Sequence, residues 1–120
     1  MRVADLEGWY LDYWVGRCLI HGEPHVRFEG KPVYMAYEVW STLDGISGDP
    51  DVFFEPSSIW EHGGPLIERE RINIANDGAG IRAAVYEPQA IVRWYVGPSL
   101  LVAAMRAFVA SKFGEEVPDA

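Results

Sequence analysis

Two glutamates one residue apart, Glu68 and Glu70, form the densest pair of candidate acid and base groups in this 120-residue chain. If residues 66 to 74 run as a strand, period two puts both carboxylates on the face of Leu66, Ile72 and Ile74, about 7 Å apart, with Arg69 and Arg71 opposite. Such a pair holds a cation or divides acid and base roles, because each charge raises the proton affinity of the other. The competing reading is a solvated strand end with neighbouring ion pairs. Arg106 is the second group with chemical potential. A guanidinium on an otherwise apolar helix must find acceptors or reach water, so it either bridges to an acid such as Glu68 or Glu70 or lines a pocket for an anionic or carbonyl-bearing ligand. In both cases a carboxylate or a backbone carbonyl is expected within hydrogen-bonding distance.

Other constellations carry less. Cys18, His21 and His25 have zinc-ligand types in C-x2-H-x3-H spacing, but a structural site needs four ligands, and the Gly-Pro between the histidines breaks any shared helical register. A buried thiol and two solvated histidines are the simpler reading. Asp44, Asp49 and Asp51 lack EF-hand spacing and its glutamate, and read as turn formers. Ser57, Ser58 and His62 lie beside Gly63-Gly64, which offers backbone donors, yet there is no G-x-S-x-G elbow. The run from Asp77 to Arg82 fails the G-x-G-x-x-G spacing and reads as a hairpin turn. No catalytic residue, cofactor or metal site is assigned.

Charge and composition narrow the partners. Eighteen acids against ten Lys plus Arg give a net charge of -8, mostly in residues 1–60, a field that repels phosphate backbones. Direct nucleic-acid binding is therefore not expected, although arrayed carboxylates leave an acidic nucleic-acid mimic as a third option. A single cysteine forms no internal disulfide, and acids at positions 5, 7 and 12 are the reverse of a secretory leader, so the chain reads as cytoplasmic. The most apolar stretch, residues 100–113, would span only about 21 Å as a helix and carries Arg106 in its middle, so no membrane association is expected.

These groups need a scaffold. Asp5 is a candidate cap for a helix through Leu19, with Leu6, Tyr10, Tyr13, Trp14 and Cys18 at helical spacing. Residues 26–29 and 33–40 flank Gly30-Lys31 as a hairpin, residues 41–51 form a loop, and residues 52–54 a short strand. Residues 56–65 read as an irregular segment pinned by Trp60. Asn76-Asp77-Gly78 turns a hairpin between residues 71–75 and 81–86, and residues 90–96 form a further strand. Pro98-Ser99 opens the last helix, residues 100–113, and Gly114 closes it with a left-handed cap; being apolar on almost every side, the helix must be covered twice, by the sheet and by the first helix or another subunit. Residues 115–120 read as a short acidic tail. The whole is a single α+β domain, 1–120: an N-terminal helix, an antiparallel sheet of four to six strands and a C-terminal helix packed across it.

Three blocks carry a family likeness. Leu11-Asp12-Tyr13-Trp14-Val15, then residues 56–60 running into Gly63-Gly64-Pro65-Leu66-Ile67-Glu68-Arg69-Glu70-Arg71-Ile72, and finally Ala103-Ala104-Met105-Arg106-Ala107-Phe108 through Gly114 resemble the NinX-like phage and prophage proteins, in that family's order and approximate spacing. The family usually has Thr-Asp before the Trp, where this chain has Ser58-Ile59. The resemblance implies a phage or prophage accessory protein of the bacterial host cytoplasm, and it supplies no substrate, cofactor or catalytic residue.

The favoured function is a non-enzymatic module that binds a host or phage protein, a basic one given the acidic chain, through Trp60, Glu61, His62, Glu68, Arg69, Glu70 and Arg106. The chain folds alone or as a homo-oligomer. The rival is a small enzyme or ligand-binding domain using Glu68, Glu70, His62 and Arg106. A pocket enclosing those four groups favours the rival, whereas a flat apolar patch beside Trp60 favours the binder.

Overall fold

The computed structural model describes residues 1–19, 26–28, 32–34, 55–78, 80–86 and 93–118. Helix α1 (Gly8–Leu19) follows a short 3-10 turn, Val3–Asp5. Strands β1 (Val26–Phe28) and β2 (Pro32–Tyr34) pair antiparallel, and β2 runs beside α1. Helix α2 (Trp60–Arg69) leads into β3 (Ile72–Asp77), β4 (Gly80–Val85), β5 (Tyr95–Gly97) and helix α3 (Leu100–Phe113).

Helix α3 is the centre of the molecule. Ser99 caps it, its hydroxyl oxygen accepting from the Val102 amide at 3.2 Å, and Gly114 ends it at φ +86°, its amide donating to the Ala110 carbonyl. Residues 103–109 are all buried. The sheet β3-β4-β5 covers one side of α3, α1 packs against another, and α2 bridges α3 and β3. Phe108 on α3, Leu6 and Leu11 near the N-terminus and Leu66 on α2 are fully buried together. Each such side chain contributes about 1.5–3 kcal/mol relative to exposure. The layering expected of an apolar helix is therefore present, with α1 as the second cover.

The hairpin at Asn76-Asp77-Gly78 is present as read, with Asp77 opposite Gly80 and Ile72 opposite Val85. Strand β5 joins the other edge of β4, pairing Ala83 with Tyr95 and Ile81 with Gly97. The α+β class holds, but the strand count does not: the sheet has three strands among the described residues where four to six were expected. Strands β1 and β2 account for the difference by forming their own two-stranded ladder; residues 66–69, whose alternation also fits a strand, are helical, so β3 begins only at Ile72. The expected loop 41–51 and the strand 52–54 lie outside the described residues, as do His21, His25, Asp44, Asp49 and Asp51. Asp5 does not cap α1; it sits in the preceding turn and its carboxylate accepts from Arg2 Nε at 3.1 Å.

The segment after α3 is docked against the start of the chain. The Val3 amide donates to the Glu115 carbonyl at 2.8 Å and the Val117 amide to the Met1 carbonyl at 2.9 Å, with Arg2 and Glu116 bridged between them.

Candidate functional site

Helix α2 carries most of the residues singled out from the sequence, and the expectation of an irregular segment there is overturned. By propensity Gly63-Gly64-Pro65 should break a helix. Tertiary contacts override that preference. A Cβ at Gly63 would lie 2.4 Å from the Pro56 carbonyl oxygen and 2.8 Å from Leu101 Cδ2, so glycine is what lets α2 approach both the preceding turn and the start of α3. The turn itself is anchored by Asp12, a buried carboxylate on α1 whose Oδ1 accepts from the Ser57 amide at 2.8 Å, just ahead of the positive end of α2. His62 adds a second tie, its Nδ1 accepting from the Glu55 amide at 2.8 Å. That bond requires a neutral ring with the proton on Nε2. Burial lowers the His62 pKa, opposed in part by the charges of Glu55 and Glu61.

Trp60 is not a buried pin. It is 59% exposed. Its indole lies over Gly64 one helical turn on, where a Cβ would come within 2.7 Å of Cε2 and 2.9 Å of Nε1. The ring is thus seated on bare backbone and presents its other side outward. Glu61, Glu68 and Arg69 are exposed on the same helix, while His62 and Leu66 face the core.

Glu68 and Glu70 do not share a strand face. Glu68 lies in the last turn of α2 and Glu70 is its C-cap, held by Arg69 Nε at 3.8 Å and Lys112 Nζ at 3.7 Å; Arg71 then turns the chain at φ +52° into β3. His62 and Glu70, eight residues apart along and just past the helix, are separated by about 12 Å. Gly63, next to His62 in the chain, approaches Leu101 at the start of α3, whereas Glu70 lies beside Lys112 at its end.

Arg106 meets its expectation through carbonyls, and Glu68 and Glu70 are not its acceptors. Nε donates to the Leu6 carbonyl and Nη1 to the Val96 carbonyl, each at 2.7 Å, clipping the N-terminal segment to β5. The residue is 9% exposed and lines an open groove of 840 Å³ whose walls contain Ala4, Trp94 and Glu115, and no residue of α2. His62, Glu68 and Glu70 therefore do not join Arg106 in one pocket. Cys18 is half-buried on α1, and burial pushes its thiol up to about 12, eased by Lys112 and reinforced by Glu70.

Asp12 and the groove at Trp94 were missed from the sequence. The signal for Asp12 was present: a carboxylate between Leu11 and Val15 on a buried helix face demands a donor. Nothing in the sequence marks Trp94, because the groove is made by bringing Ala4 and Glu115 beside residues 93–98.

Compared with known families, the chain matches the model described as bacteriophage P22, NinX, over residues 2–112. The chain belongs to the NinX family. The match includes Trp60, all of α2 and Arg106, and it identifies a phage protein without assigning any of them a role. Among curated proteins no match was found. No helix among the described residues is long and apolar enough to cross a membrane.

Proposed function

We propose that this NinX-family protein is a non-enzymatic binding module that docks a basic host or phage protein in the host cytoplasm through the outer face of α2, with Trp60 as anchor. The observation that carries this reading is the exposed indole seated on Gly64. A large ring already held in place loses little entropy on binding, and tryptophan is the residue type most enriched among contacts that dominate interfaces. The segment from 55 to 71 exposes Glu55, Glu61 and Glu68 against Arg69 and Arg71, and the chain as a whole carries -8, which supports a partner of opposite charge.

The test is affinity capture of the tagged full chain from infected or lysogenic host cells, comparing the native protein with Trp60→Ala and with Tyr86→Ala, an exposed aromatic just past the end of β4. One basic protein is expected with the native chain and with Tyr86→Ala, and its recovery should fall by about thirtyfold with Trp60→Ala, the size of a contact hot spot. Equal recovery with Trp60→Ala, or no specific partner at all, contradicts the proposal.

A further inference from the structure

The groove beside β5 lies on a different part of the molecule from α2, and its charge runs against the rest of the chain. Arg93 at its wall is neutralised by an ion pair with Glu115, whereas among the described residues Arg106 has no carboxylate partner. The groove therefore holds one uncompensated positive charge in a protein of net charge -8.

Arg106 is also incompletely used. A guanidinium carries five N–H donors, and two of them are spent on the carbonyls of Leu6 and Val96. Both donors on Nη2 are without a hydrogen bond among the described residues, on a side chain that is nine-tenths buried and lines the groove. Nη2 keeps contact with solvent, so these donors open into the groove, where a carboxylate is the acceptor that matches a guanidinium best.

The remaining lining tells what the carboxylate is attached to. Trp94 is 44% exposed, and the Arg82 guanidinium stacks over its ring at 5.4 Å. Val96 is 53% exposed beside it, and Pro98 and Ala4 complete an apolar wall. The groove follows six consecutive residues, 93–98, a run of roughly 17 Å in extended chain, which suits a segment of about five residues lying along β5. Strand β5 is the last strand of its sheet among the described residues.

We propose that this groove binds the C-terminal end of an extended apolar peptide, its free carboxylate received by Arg106 and a large side chain laid against Trp94. Capture of a chain terminus by oriented donors is a known mode of peptide recognition, and here the donors come from a side chain fixed by two carbonyls.

The probe is a fluorescent hexapeptide library with three randomised C-terminal positions, screened against the full chain as free acids and as carboxamides. Free acids ending in apolar residues should be enriched, and amidation of the best binder should weaken it by about tenfold or more. Ala4→Trp, at an exposed position on the groove wall, should block binding to the same degree, and Arg106→Lys, which keeps charge without the fork, should weaken it too. Trp60→Ala should leave peptide affinity within about twofold, which separates this site from the α2 face. Absence of any enriched peptide, equal binding of amide and acid, or full binding by Ala4→Trp overturns the proposal.

Discussion

Two adjacent glycines on α2 should respond to alanine with opposite signs. Neither has a positive φ, so alanine fits both backbones and gains up to about 1 kcal/mol of helix propensity at each. At Gly63 the new methyl meets the Pro56 carbonyl oxygen at 2.4 Å and Leu101 at 2.8 Å, and the first of these is backbone held by the Ser57–Asp12 bond. Overpacking costs about 1–3 kcal/mol, and a 2.4 Å approach to fixed backbone puts this case at about 2–3, so Gly63→Ala is expected to lose about 1–2 kcal/mol net. At Gly64 the atoms in the way belong to the Trp60 ring, an exposed side chain that the new methyl would push off its seat without moving any backbone. Gly64→Ala should therefore leave stability unchanged or raise it by up to about 1 kcal/mol, while unseating the indole and weakening partner capture. Urea unfolding followed by far-ultraviolet circular dichroism measures both variants, with midpoints compared at equal slope. If Gly63→Ala is as stable as the native protein, or Gly64→Ala loses more than about 1.5 kcal/mol, the account of why α2 forms and what its glycines do is wrong.

Three further outcomes follow from single side chains. Arg106→Met should cost about 2–4 kcal/mol in urea unfolding, since two carbonyls at 2.7 Å lose a charged donor and the relief of a buried charge only partly offsets it; no loss would show that the clip between Leu6 and Val96 is dispensable. His62 has a folded pKa below its ordinary 6.5, so the unfolded chain binds the extra proton first: its contribution to stability is complete above that value and is lost as pH falls below it. His62→Asn, which keeps an acceptor for the Glu55 amide, should flatten the decline in melting temperature over that acidic window, and an unchanged decline would refute the assignment. Cys18, the single cysteine, with its thiol near 12, should react with iodoacetamide at pH 8 at least about a hundredfold more slowly than free cysteine, and a rate equal to the free thiol would show that the site is not desolvated.

The parts of the fold legible in the sequence are those whose signals are local. Ser99, fourteen largely apolar residues and Gly114 specify α3 without reference to anything else, and Asn76-Asp77-Gly78 between two apolar runs specifies the β3–β4 turn. Helix α2 was illegible for the converse reason. Leu66-Ile67-Glu68-Arg69-Glu70-Arg71-Ile72 satisfies a strand period, and Gly63-Gly64-Pro65 argues against helix, so only the close approach to Pro56 and Leu101 and the tie from Asp12 decide the outcome. That change of element also separates Glu68 from Glu70 and moves Trp60 from a pin to an exposed platform. Arg106 was legible as a group in need of acceptors. Which acceptors it takes depends on Leu6, 100 positions away, and on Val96, 10 positions away on another element, and no spacing rule joins all three.

The role of Trp60 is tested most directly by placing a photoreactive benzoylphenylalanine at position 60, and separately at the exposed position 86, and irradiating infected or lysogenic host cells. One discrete adduct with a basic protein from position 60, and none with that protein from position 86, is the expected result. No adduct from position 60, or the same products from both positions, would contradict the assignment of α2 as the docking face.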